Sequence, residues 1–261
     1  MTITTDWQGE VGGLTFGEGT SYPFTEVPLD GFGTPPPRTS DSERGALPGD
    51  VGGLDVASRR LLTVALGLDA VGVPGVSDCS PAAVMSLLDD LKLAWAESAV
   101  DVTFQLRLPG MGLRKWYGRP RGVDADLDLL RAGWGEVVCT FEALDPFSYS
   151  PPVAVTLNSG NTVVTNPGTA PTDRATIQLT GAGSTPSLTH VSDGRTTRWA
   201  APLTGTRQIL LRNRIVTTTG GDDRYSELSP TNQWWDLRPG ANTITRTGAT
   251  AGTITFEPAW K

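Results

Sequence analysis

The chain has 261 residues, enough for one large β domain or two domains of ordinary size. An apolar fraction of 38% supports packed cores, and 31 Gly with 20 Pro in no regular period point to many turns between short strands, which excludes a collagen-like or disordered chain. A formal net charge of −7 with no cluster of Lys or Arg excludes the basic footprint of a nucleic-acid binder.

The opening "MTITTDWQGEVGG" has no basic region leading into an apolar one, so no signal peptide is expected. No apolar run approaches the length of a membrane span, so no membrane insertion is expected either. The first 50 residues are rich in Gly and Pro, with short apolar pieces at Leu14–Phe16 and Tyr22–Phe24. They read as small strands joined by a long exposed loop through "TPPPRTSDSERG". "SRRLLTVALGL", residues 58 to 68, is a predicted strand with Leu62, Val64 and Leu66 on one face.

A helix is predicted over 81 to 98. Ser80 caps it, and Pro81 suits the first helical position, where a missing N–H loses nothing. Val84, Leu87, Leu88, Leu91 and Trp95 form its apolar stripe, a core pattern that gives Trp95 no functional role. "VDVTFQLRL" (100 to 108) alternates strictly, "PGMG" turns it, and "LRKWYGRPRGVDADL" follows as its partner strand. "GEVVCTFEALDP" is a further strand, stopped at Pro151 and Pro152, and a domain boundary is expected there: 1–150 and 151–261.

Beyond residue 153 the pattern is β only. Strands are expected at Val153–Leu157, Thr162–Thr165, Ala175–Thr180, Ser187–Val191, Thr196–Ala200, Gln208–Arg212, Arg214–Thr218, Thr243–Arg246 and Thr253–Glu257. About nine short strands in roughly 110 residues is the signature of a β-sandwich or jelly roll.

Chemistry-bearing motifs are sparse. His190 is the single histidine and sits in "PSLTHVSDG" with no nucleophile elbow nearby, so it reads as an ordinary strand histidine rather than a catalytic base. No Cys/His cluster or EF-hand loop is present, "GGDD" at 220 to 223 reads as a hairpin tip, and "GEVGGLTFGEG" lacks the ending of a phosphate-binding loop. No metal, cofactor or catalytic residue is therefore expected, and the chain is read as non-enzymatic. Cys139 shares its parity with Val137 and Phe141 and is expected to be a core thiol; whether it ever pairs with Cys79 is left open by the sequence.

Three stretches together resemble the distal tail proteins of long-tailed siphophages, often called minor tail proteins. They are "VDVTFQLRLPG" leading through "RKWYGRPRGV" to "GEVVCTFEALDPFSYS"; "VTLNSGNTVVTNPGTAPTDRATIQLTG"; and "WWDLRPGANTIT" followed by "TITFEPAW". Residues 1 to 55 carry little of the likeness. The resemblance implies a mainly β protein: a tail-tube-like N-terminal β-barrel or sandwich with one flanking helix, and a C-terminal galectin-like or jelly-roll sandwich. It further implies a homo-hexameric ring in the virion, at the tail tip or baseplate. That ring would join the tail-tube protein to the tail-tip hub protein, with the tape-measure protein as a further partner, after synthesis in the host cytoplasm. DNA would pass through the lumen without specific binding, as an acidic ring would allow.

The rival reading is a carbohydrate-binding or receptor-binding sandwich, motivated by Trp234 and Trp235 beside the Pro239-Gly240 turn; a glycoside hydrolase is a third. Alternation assigns Trp235 to the core with Leu237, and Trp234 to the outer face with Asp236. Gly240 would supply the positive φ of a type II turn. Trp116, Tyr117, Arg119, Arg121 and Trp234 are the candidate interface residues, because aromatics and arginines are favoured there.

Overall fold

The structure of the protein is a computed structural model that describes residues 3–25, 32, 37–38, 42–43, 50–51, 56–57, 59–71, 80–96 and 98–261. The chain divides into two compact units, Met1–Ser148 with Lys261, and Tyr149–Trp260. Both are built mainly from antiparallel strands.

The first unit contains β1 (Gln8–Val11), β2 (Leu14–Gly17), β3 (Arg60–Asp69), α1 (Pro81–Ala94), β4 (Val102–Leu108), β5 (Gly112–Asp126) and β6 (Trp134–Ala143). The strand order is β2-β1-β4-β5-β6-β3. Alternation does what period two requires: Phe104 and Leu106 of β4, Val137, Cys139 and Phe141 of β6, and Leu62, Val64 and Leu66 of β3 all point inward and are buried. Against them α1 lays Val84, Leu87, Leu88 and Leu91, its buried stripe.

Ser80 caps α1 as expected, its hydroxyl accepting from the Ala83 N–H at 3.2 Å. The helix stops at Ala94, short of the expected 98. Trp95 leaves helical geometry with its own N–H still bonded to Leu91 O, and its indole N–H donates to Thr140 O at 2.9 Å. A tertiary hydrogen bond to β6 therefore ends the helix. Trp95 joins Phe16, Phe104, Trp116 and Phe141 in an aromatic cluster with centroids 5.4 to 6.2 Å apart.

Of the two architectures that the family resemblance allows for this unit, a closed barrel is absent among the described residues, since no ladder joins β2 to β3. The chain bends after Gly17, whose φ is 100° and where a Cβ would lie 2.1 Å from Trp7 O. Residues 21–25 then run along the outer edge of β3. Gly67 N–H donates to Pro23 O (2.7 Å), Asp69 N–H to Ser21 O (2.9 Å), and Thr25 N–H donates to Ala65 O (3.2 Å). Tyr22 fastens this strap to the helix through its hydroxyl, 3.3 Å from Leu87 O. Burial, with Asp90 adding, pushes that hydroxyl up to about 12.

Within the loop expected through "TPPPRTSDSERG", Pro37–Arg38 and Ser42–Glu43 are short strands instead, paired with Val56–Ala57 and Asp50–Val51. The rest of that loop lies outside the described residues, as does Cys79.

The second unit holds β7 (Val153–Thr156), β8 (Gly160–Asn166), β9 (Ala175–Ser184), β10 (Ser187–His190), β11 (Arg195–Arg198), β12 (Leu203–Leu210), β13 (Ile215–Thr218), β14 (Gly240–Thr247) and β15 (Ala251–Phe256). A 5-stranded sheet runs β7-β15-β9-β12-β13 and a 4-stranded sheet β8-β14-β10-β11. Ile177, Leu179, Ile209, Val216, Ile254 and Phe256 of one sheet share a buried cluster with Val164, Leu188 and Ile244 of the other, which is the core of a β-sandwich. The largest shift from expectation is β12, which starts at Leu203 rather than Gln208.

Residues 219–239 fold back over one flank of this sandwich. Thr218 N–H bonds Asp222 O and Arg224 N–H bonds Val216 O, closing the free edge of β13. Ser229 N–H bonds Arg198 O and Gln233 N–H bonds Thr196 O, closing that of β11. This covering segment carries both tryptophans. Residues 232–236 form no regular strand, and the alternation still holds: Trp235 is 1% exposed, Leu237 is buried and Asp236 is outside. Gly240 takes φ 83°, the positive value expected of it.

Two expectations follow. Trp235→Ala leaves a buried cavity and lowers the unfolding free energy, read by urea titration, by about 3–5 kcal/mol. Trp234→Ala, at a half-buried position, costs about 1 kcal/mol; equal losses would sink the alternation argument. Second, burial pushes the Cys139 thiol up to about 12. In a Cys79→Ser variant it should ignore a disulfide reagent until the chain is denatured, and rapid labelling of the native protein would show the core to be open.

Candidate functional site

His190 ends β10 and is fully buried, so its surroundings decide what it can do. Its Nδ1 lies 3.0 Å from Asp193 Oδ2 and its Nε2 3.0 Å from Asn242 Oδ1. The ring stacks on Trp235 with centroids 5.3 Å apart and an interplanar angle of 11°. Asn242, also fully buried, donates from Nδ2 to Arg238 O (2.8 Å) and Gly240 O (2.9 Å), and its Oδ1 accepts from Arg238 N–H (2.8 Å). Asp193 in turn pairs with Arg238.

A histidine–carboxylate pair superficially resembles half of a catalytic triad. Here both ring nitrogens are engaged by protein side chains and one ring face by an indole, which leaves no ring nitrogen open to a substrate. The group is a clamp. It ties the 191–194 turn and the 238–242 turn to the core tryptophan. Among the described residues no group of three His, Cys, Asp or Glu side chains is arranged to hold a metal ion.

A second buried asparagine works the same way. Asn166 Nδ2 donates to Ala170 O (3.1 Å) and Leu237 O (3.3 Å), while its Oδ1 accepts from Gly168 N–H (3.0 Å). The loop it holds packs so closely that a Cβ on Gly168 would sit 2.0 Å from Ala259 O. Sequence reasoning did not single out Asn166 or Asn242. The usable signal was local: Asn before Pro-Gly, and Asn two residues after a turn glycine, are the settings in which an Asn side chain bonds nearby backbone.

The candidate interface residues do not form one patch. Trp116 is 1% exposed and packs edge-on to Phe32 at 5.1 Å, so it is core; the alternation that puts Tyr117 outside puts its neighbour inside. Tyr117 and Arg119 are half-buried on the outer face of β5, and Arg119 pairs with Asp101 at 3.2 Å. Arg121 is exposed at a bulge: Thr140 pairs with Gly122 and Phe141 with Pro120, leaving Arg121 unmatched. The bulge aims its guanidinium at Glu142, 2.6 Å from Oε2, and Arg59 reaches Oε1 at 2.5 Å. The hydrogen bond from Arg121, helped by the charge of Arg59, holds the Glu142 carboxyl below the usual carboxylate range.

Trp234 belongs to the second unit. It is half-buried, with Tyr225 stacked on it at 6.4 Å and 22°. It also packs against the buried cluster of the sandwich. A sugar platform needs an open aromatic face, and on Trp234 Tyr225 stacks where a sugar would.

The family model described as "Siphovirus-type tail component, C-terminal domain" matches residues 167–260. No curated protein sequence matches the chain. Among solved structures, the Dit protein (gp 19.1) of phage SPP1, described as a paradigm of the hub adsorption apparatus in phages infecting Gram-positive hosts, is similar with a TM-score of 0.75 at 16% identity. That likeness covers 97% of this chain and 99% of the other. A chain of the phage P2 baseplate in its activated conformation with Ca matches with TM-score 0.50 at 8% identity, over 91% of this chain and 90% of that one. The corresponding Sr structure gives 0.51 at 9%, over 96% and 97%. Identities this low speak for the fold, and the family match speaks for the segment it spans: residues 167–260 carry the pattern of the siphovirus-type tail component, C-terminal domain, on a chain with the fold of Dit from end to end.

Proposed function

We propose that the protein is a structural component of a bacteriophage tail tip, a distal tail protein that works by assembly rather than turnover. The supporting observation is the end-to-end likeness to SPP1 Dit, 97% of one chain and 99% of the other, which leaves little of either chain for an added catalytic or binding module. In this reading the first unit is the tail-tube-like, ring-forming part. Six copies make a ring that joins the tail-tube protein to the tail-tip hub protein, with the tape-measure protein as a further contact. The formal net charge of −7 suits a lumen through which DNA slides without being held.

Two features of the site favour this over the carbohydrate-binding alternative. The one histidine is consumed by an internal clamp, and the one half-exposed tryptophan beside the turn is covered by Tyr225. The test is the mass and shape of the purified chain, by light scattering and negative-stain microscopy, together with antibody labelling of virions. A six-membered ring and labelled tail tips are expected. Monomers at every concentration together with unlabelled tails would overturn the reading, and tight, saturable binding on a glycan array would favour the alternative.

A further inference from the structure

An open β-sandwich has two sheets and therefore four edges, and each edge presents unpaired backbone N–H and C=O groups. In the second unit the edges are treated unequally. Those of β13 and β11 are closed by the 219–239 segment, and β11 also carries Arg195 and Arg198. The edge strand β7 is only 4 residues long and is entered through Pro151 and Pro152. Short length and proline are both standard protections against edge-to-edge pairing.

β8 is far less protected, and only Pro167, just past its end, resembles the guard on β7. β8 is 7 residues long, Gly160–Asn166, reads GNTVVTN, and contains no charge and no proline. Its ladder with β14 runs without a bulge from Gly160 opposite Arg246 to Asn166 opposite Gly240. Among the described residues, no backbone hydrogen bond covers its other side. Asn161, Val163 and Thr165 face solvent, and Val163 is 58% exposed. Water satisfies such a row of donors and acceptors in the free chain, and another extended backbone can replace it strand for strand.

We propose that this strand is a self-association site, where β8 of a second copy of the chain adds antiparallel and continues the sheet. Three observations favour a copy. The strand is neutral in a chain of net charge −7, so two copies meet here without the repulsion they would feel elsewhere. It is self-complementary: with all seven residues paired and the buried row of Thr162, Val164 and Asn166 on the inner face of both copies, Val163 falls opposite Val163 and Asn161 opposite Thr165. That juxtaposes β-branched with β-branched and polar with polar. Finally, each sandwich has one long bare edge and no second one for it to join, so the contact is isologous and closes at two. It does not depend on the ring: a monomer would become a dimer, and a ring of six would pair with another ring.

Sedimentation velocity of the full chain tests this with Val163→Lys, Val163→Glu and their equimolar mixture, circular dichroism checking that each folds. The wild type should show a concentration-dependent doubling of its basic unit. Either single variant should weaken it at least about fivefold, because like charges then face each other across the axis. The mixture should restore it, since position 163 meets itself. A wild type that never doubles, a doubling indifferent to both variants, or a mixture that fails to recover would each overturn the proposal. The size of the basic unit, one chain or six, is read separately from its doubling.

Discussion

With one α-helix among the described residues, the constraint that governs the rest is that a sheet must end somewhere and its last strand must do something with its backbone. The first unit answers with residues 21–25, which leave β2 at Gly17 and lie along β3, pinned to α1 by Tyr22. The second answers with the 219–239 segment, which closes two edges at once. Both solutions fix loops that would otherwise be free. The unusual local sequence of each, glycine at a positive φ in one and a pair of tryptophans in the other, follows from the task of laying chain over an edge.

Laying chain over an edge also buries polar groups, which is costly unless they are bonded. Asn166, Asn242 and His190 are all fully buried, and all three satisfy loop backbone or one another. The hydrogen-bonding capacity of the sandwich interior is thereby directed at three turns, at 167–170, 191–194 and 238–242. Trp235 lies over the histidine and supplies the apolar side of the same clamp. The chain's one histidine is thus structural for a reason visible in its partners rather than in the absence of a motif.

Much of this was legible in the sequence, because period-two alternation is written locally. It located the strands of β3, β4 and β6, put Cys139 with Val137 and Phe141, and separated Trp235 from Trp234 even where the chain is not a regular strand. Where pairing geometry depends on a neighbour, the sequence was silent. Arg121 is aimed by a bulge that exists only in the register between β5 and β6. Trp95 ends its helix to reach a carbonyl on β6, and nothing between residues 95 and 98 announces that bond. β12 was missed at its start because Leu203 to Gln208 does not alternate; Gly205, with φ 79°, interrupts the pattern. Trp116 was named for its residue type although its own parity placed it inside, where it is 1% exposed.

Edge protection is the one feature that links the sequence, the fold and the assembly. Covering an edge takes about twenty residues on one flank of the sandwich, and two prolines guard a short strand on the other. Against that background a neutral, unbroken strand such as Gly160–Asn166 is a position where pairing is permitted. In the proposed assembly role two kinds of surface are needed, closed ones that prevent indiscriminate association and open ones that fix how copies meet. The sandwich has both, and the difference between them lies in backbone hydrogen bonds, which no residue-type census of aromatics and arginines detects.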